Sequence, residues 1–170
     1  MTKYIALLRA VNVGGTGTLP MAELKSMCTG AGFTRIETYG ASGNVVFESK
    51  STVSQAKAAL EARLQAYAGK PIGLLIRTAS DMAGILKANP FRQAEPKHTY
   101  TIFLDYPPPQ DALEQARSQT DEQMCLGERE IFVHYPRGMG RSKLRIPAAK
   151  NGTARNMNTV ARLAKLALKT

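Results

Sequence analysis

The 170-residue chain has no tryptophan, only two cysteines and only two histidines. Each scarcity excludes a chemistry. Cys28 and Cys125 lie far apart, each inside an apolar pattern. They read as small buried hydrophobes in a reducing compartment, not as a disulfide framework. His98 and His134 have no cysteine neighbours, so no metal-ligand spacing arises. No Ser/His/Asp or Cys/His arrangement suggests a nucleophile, and no catalytic residue is assigned. No apolar run approaches the roughly 20 residues of a membrane span. The run "YIALL" is too short for the apolar region of a secretory leader. These absences point to a cytoplasmic protein without a membrane, metal or cofactor partner.

The most informative absence is acid near the end of the chain. Glu130 is the last carboxylate side chain, yet nine Lys/Arg follow it. Residues 1–130 hold fourteen Lys/Arg against thirteen Asp/Glu, so nearly all of the net charge of +10 belongs to the final forty residues. Such lopsidedness suits an anionic partner at that end.

What is present reads as a globular α+β chain. Apolar residues make up 44% and charged residues 21%, ordinary values for a buried core and a wet surface. Lys3 to Arg9 reads as an interior strand bounded by a glycine loop. Pro20 opens a helix whose face carries Met21, Leu24 and Cys28, and Gly30 and Gly32 stop it. "FTRIETY" and "NVVFE" read as strands. A second helix carries Val53, Ala56, Leu60, Leu64 and Tyr67 to the stop at Gly69. "PIGLLIRT" returns as a strand, completing β-α-β-β-α-β, the ferredoxin-like order. A short helix capped by Ser80 follows, and "NPFRQAEPK" reads as a linker.

The pattern then restarts. "HTYTIFLD" is a strand, "QDALEQARSQ" a modest helix, and "QMCL" and "EIFVHY" are strands joined through Gly127-Glu128. A terminal helix runs from about Asn158 to Lys169. The expected architecture is two tandem ferredoxin-like halves, residues 1–90 and 91–170. The second half lacks an evident last strand.

Several polar words occur in one order along the chain: "YIALLRAVNVGG", "MAELKSM", "GF…TYGASGNVVF", "RTASDMAGILKANPF", "EREIFVHYPRGMGRSKL" and "ARNMNTVARLAKLA". Together they resemble a mostly bacterial family known as domain of unknown function 1697. The resemblance implies two ferredoxin-like units in tandem and carries no established activity. In this chain Met157 stands where the family usually has tryptophan, so a role needing an aromatic ring there does not transfer.

Three stretches are candidate sites. The loop "RAVNVGGTGTLP" lacks G-x-x-x-x-G-K-[ST] and the G-x-G-x-x-G spacing. Its backbone N–H groups at Gly14 and Gly15, with Asn12 and Arg9, suit a small anion nest, but a plain strand-to-helix connection accounts for the same residues. "YPRGMGRSKLR" sets Arg137, Arg141 and Lys143 close together, with Ser142 as an added donor and Arg155 as a further cation. A solvated basic turn is the plainer alternative. Phe103, Phe132 and His134 share one face of adjacent strands and would form a stacking platform if exposed, or buried core if that face is covered. The favoured function is binding of a phosphate-bearing partner, nucleic acid ahead of a small nucleotide. An enzyme acting on a small phosphorylated ligand and an interaction module for an acidic partner remain open. Oligomeric state is not legible.

Overall fold

The structure is a computed structural model that describes residues 1–10 and 18–169. The described residues form two compact units, 1–82 with 163–169, and 83–162.

In the first unit β1 (Thr2–Leu8), β2 (Thr34–Thr38), β3 (Asn44–Ser49) and β4 (Leu74–Thr78) form one antiparallel sheet of order β2-β3-β1-β4. Helices α1 (Met21–Gly30) and α2 (Val53–Ala68) supply Leu24, Cys28, Leu60 and Leu64 to its core. Alternation decides which strand residues join them: Tyr4, Ala6 and Leu8 of β1 meet Val45 and Phe47 of β3 in that cluster. Phe33 stacks on Phe47 with ring centroids 4.1 Å apart. The ends of α2 follow from its sequence. Thr52 and Gln55 cap each other reciprocally at 3.0 and 3.2 Å, an arrangement worth about 1 kcal/mol. Gly69, at φ 73°, closes the helix in the left-handed conformation. Burial pushes the Cys28 thiol up to about 12, which keeps it protonated and unreactive.

Helix α3 (Ala79–Ala88) follows β4 directly. Its cap is Thr78, which exchanges 3.0 Å bonds with Asp81, and not Ser80 as expected. The reciprocal bond needs a side-chain acceptor three residues on, and Asp81 stands at that distance from Thr78.

The second unit holds β5 (Thr99–Phe103), β6 (Gln123–Leu126), β7 (Glu130–His134) and β8 (Thr153–Asn156), in the order β6-β7-β5-β8. Two expectations need correction. A last strand exists: β8 pairs with β5 from Tyr100↔Asn156 to Phe103↔Thr153. It was hidden because "TARN" is short and carries no apolar alternation. Second, "QDALEQARSQ" forms successive turns rather than a helix. Arg117 there is extended and bridged to Arg145, so tertiary pairing overrides a modest local propensity. Ile102, Leu104, Ile131, Val133 and Tyr135 form a core on one face of this sheet. Irregular segments cover it through Leu113, Leu144 and Ile146, where the first unit uses helices. The terminal helix α4 (Met157–Ala167) is capped by Asn156, whose Oδ1 accepts from the Thr159 N–H at 2.9 Å.

Two glycines test this description in opposite directions. A Cβ on Gly152 would stand 2.7 Å from the Phe103 carbonyl oxygen and 2.8 Å from Leu104. Gly152→Ala should therefore destabilise the protein by about 1–3 kcal/mol. Gly84, inside α3, has nothing within 4 Å of that position. Gly84→Ala should stabilise by about 0.5–1 kcal/mol. Urea denaturation of the two variants checks both signs.

Candidate functional site

A cleft of about 380 Å³ opens in the second unit between residues 118–122 and 137–143, with Tyr135 also in its lining. Its walls are held by named bonds. Arg117 and Arg145 exchange both backbone hydrogen bonds, at 2.8 and 2.9 Å, and so fix the two segments side by side. Tyr135 ties the strand end down by donating its N–H to the His98 carbonyl at 2.8 Å. Gly138 then turns the chain at φ 89°, where a side chain would be strained. A 3-10 turn over Met139–Arg141 follows.

Glu122 joins the walls. It is 4% exposed, and its carboxylate accepts the Ser142 hydroxyl. It also accepts the Thr120 N–H at 2.7 Å. The Ser142 hydroxyl, followed by the Thr120 backbone, pulls the Glu122 pKa down to about 2. Ser142 Oγ in turn accepts the Leu144 N–H at 3.1 Å. Asp121 meets the Arg137 Nε at 2.9 Å. That hydrogen bond lowers the Asp121 pKa and raises that of Arg137. Burial first, then the Glu122 charge, pushes the Tyr135 hydroxyl up to about 12, so the phenol stays protonated.

Both acids of the cleft are thus engaged. Arg141 and Lys143 are exposed, and no ion pair involves them among the described residues. The arrangement offers two exposed cations beside a hydrogen-bonded wall of polar groups, which suits an anionic group small enough to enter. Among the described residues no group of three His, Cys, Asp or Glu stands together to hold a metal.

The structure brings together Arg137, Arg141, Ser142 and Lys143 from the sequence candidates. The role given to Ser142 changes, because its hydroxyl proton is committed to Glu122. Arg155 is elsewhere. It pairs opposite Thr101 in β8, on the sheet face opposite to the Tyr135 core. There it is 6% exposed, donates to Thr153 Oγ1 at 2.7 Å and has its pKa lowered to about 10 by burial. Strand alternation, invisible without the strand, sends it to that face. Arg9 belongs to the first unit, where its N–H donates to the Gly73 carbonyl at 2.9 Å. Asn12, Gly14 and Gly15 lie outside the described residues.

Of the two readings of the strand face bearing Phe103 and Phe132, buried core is the one that holds. Phe103 and Phe132 are 0% and 1% exposed, so neither ring offers a face to a base. His134 is half-buried, with Nδ1 3.3 Å from Thr99 Oγ1 and its ring beside Phe91. Sequence reasoning missed Thr120, Asp121, Glu122 and Tyr135. The signal was present in "TDE", the acidic pair preceding β6, but the assignment of a helix just before it obscured the turn.

The family model of DUF1697, a protein of unknown function, matches residues 1–132. The chain belongs to DUF1697. The match stops short of Arg137, so it includes the acidic wall of the cleft and not the basic one. Among solved structures, a conserved bacterial protein, SP0830 from Streptococcus pneumoniae, aligns with a TM-score of 0.81 at 24% identity over 98% of each chain. That likeness shows the mixed α/β fold of this DUF1697 member. No curated protein matches the chain. No helix among its described residues is long and apolar enough to cross a membrane.

The Glu122 bonds generate a pH prediction. Its folded pKa lies below its ordinary value of 4.5, so its contribution to stability is complete above that value. The contribution drains away as pH falls toward about 2. Glu122→Gln has no such charge to lose. The melting-temperature gap between the unmutated protein and this variant should shrink steadily across that window. A constant gap would mean the carboxylate is not held as described.

Proposed function

We propose that the cleft of this DUF1697 protein binds a phosphate group, with nucleic acid as the favoured carrier. One observation carries the reading: Arg141 and Lys143 line a cleft whose two acids are already engaged, Asp121 by Arg137 and Glu122 by Ser142 and Thr120. Guanidinium and ammonium donors match phosphate oxygens in geometry and charge. A small phosphorylated ligand or nucleotide is the second reading, favoured by a volume of about 380 Å³, within the usual range of small-molecule pockets. The fold is read as two ferredoxin-like halves in tandem. Support comes from the strand orders β2-β3-β1-β4 and β6-β7-β5-β8, which are the same order when each sheet is numbered from its own first strand. A cytoplasmic setting is supported by two free cysteines.

The test replaces both cations. Arg141→Gln with Lys143→Gln should weaken binding of a mononucleotide and of a single-stranded oligonucleotide by about ten- to hundredfold. The melting temperature should hold, since both side chains are exposed. No binding of either ligand by the unmutated protein at low salt would sink the proposal.

A further inference from the structure

Beside the cleft, and sharing Ser118 with it, lies a broader groove of about 830 Å³ lined by Arg117, Arg145 and Lys150 with Leu144, Ile146 and Pro147. The two arginines are bridge partners that exchange both backbone hydrogen bonds. In that antiparallel arrangement directly opposed residues hold their Cα atoms about 5.5 Å apart and send side chains to one side. Both guanidinium groups therefore leave the backbone together into the same groove. Like charges directly opposed in this way are destabilising. Neither arginine has an ion-pair partner among the described residues, and both are exposed. Lys143 lines the cleft and Arg145 the groove, so one short stretch of chain supplies cations to both.

We infer that this groove is a second phosphate-binding site, and that the two sites take successive phosphates of one nucleic-acid strand. The inference rests on the proposed phosphate binding in the cleft and deepens it. A single phosphate occupies one site, whereas a strand engages both. The opposed arginines supply a paired set of N–H donors to backbone phosphate oxygens and make no base-specific contact, so recognition is by backbone and indifferent to sequence. The apolar lining from Leu144, Ile146 and Pro147 gives a sugar or base edge a surface to lie against without a hydrogen-bond code.

The experiment measures affinity for a mononucleotide, a dinucleotide and longer single strands at several salt concentrations. It compares the unmutated protein, Arg117→Gln/Arg145→Gln and Arg141→Gln/Lys143→Gln. The bridge is made by backbone atoms, so the groove variant should melt as the unmutated protein does. It should still bind a mononucleotide through the cleft and lose the gain with length, about tenfold or more for the longest strand. Its slope of log affinity against log salt should be shallower by about 0.7 for each phosphate contact removed. A length gain that survives Arg117→Gln/Arg145→Gln overturns the second site, as does its absence from the unmutated protein. If mononucleotide binding falls with Arg141→Gln/Lys143→Gln but no length gain exists, the cleft stands and the groove falls. If the length gain needs Arg117 and Arg145 but ignores Arg141 and Lys143, the cleft reading fails and the two-site strand fails with it. Equal competition by an acidic polypeptide such as polyglutamate would assign the surface to an acidic protein and overturn the nucleic-acid inference.

Discussion

The cleft depends on one carboxylate that must stay ionised. Glu122 is nearly inaccessible to solvent, and a buried charge survives only where donors replace the lost water. The donors come from both walls: the Ser142 hydroxyl from one side and the Thr120 N–H from the other. Across the same gap the Asp121–Arg137 pair is exposed, and exposed pairs contribute little. The buried acceptor therefore fixes the geometry, and the exposed pair adjusts the charge. Gly138 and the 3-10 turn after it shape the approach of Ser142, but nothing in their backbone bonds reaches the opposite wall.

That arrangement has an electrostatic consequence. A chain whose last acid is Glu130 must neutralise its later cations with acids from earlier segments. It does so for Arg137 through Asp121 and for Lys169 through Glu37. Glu122 accepts from a neutral hydroxyl and a backbone amide instead. An acid that sits beside Arg141 and Lys143 in the cleft is thereby spent on fastening the walls. At physiological salt the screening length is about 8 Å, so the repulsion among exposed cations is tolerable. It is not abolished where a backbone bridge holds Arg117 and Arg145 directly opposite each other.

The first unit was largely legible because its elements obey local rules. The closing glycine of α2 and the apolar strands β1 and β3 each match a signal read in the sequence, and the Thr52–Gln55 capping box, which was not read there, obeys the same kind of local rule. The second unit was less so, because its structure is decided by contacts distant in sequence. Nothing within "QARSQ" announces that Arg117 will pair with Arg145, twenty-eight residues away. Nothing in "TARN" marks an edge strand of its sheet. The basic run of the site was visible as composition. Its acidic wall was not, since the bonds from Asp121 to Arg137 and from Glu122 to Ser142 span 16 and 20 residues. The shared face read for Phe103 and Phe132 agrees with the sheet, since Ile102, Leu104, Ile131, Val133 and Tyr135 form a core on the other face. Alternation gives only the two faces, however, and does not say that the face bearing Phe103 and Phe132 is also covered.

The helix-poor second unit explains why irregular segments, and not an α-helix, carry the cations of the cleft and the groove. Its core face is closed by irregular segments that place Leu144 and Ile146 inward. In such a segment neighbouring residues differ sharply in exposure, and Lys143 and Arg145 on either side of Leu144 are exposed. The apolar residues that close the core thereby set the position of the cations. A substitution that loosened Leu144 would move both Lys143 and Arg145, and with them the cleft and the groove together. Packing in this segment is thus a determinant of charge placement, and the two surfaces are coupled through Leu144, a half-buried residue that packs on the core and also lines the groove.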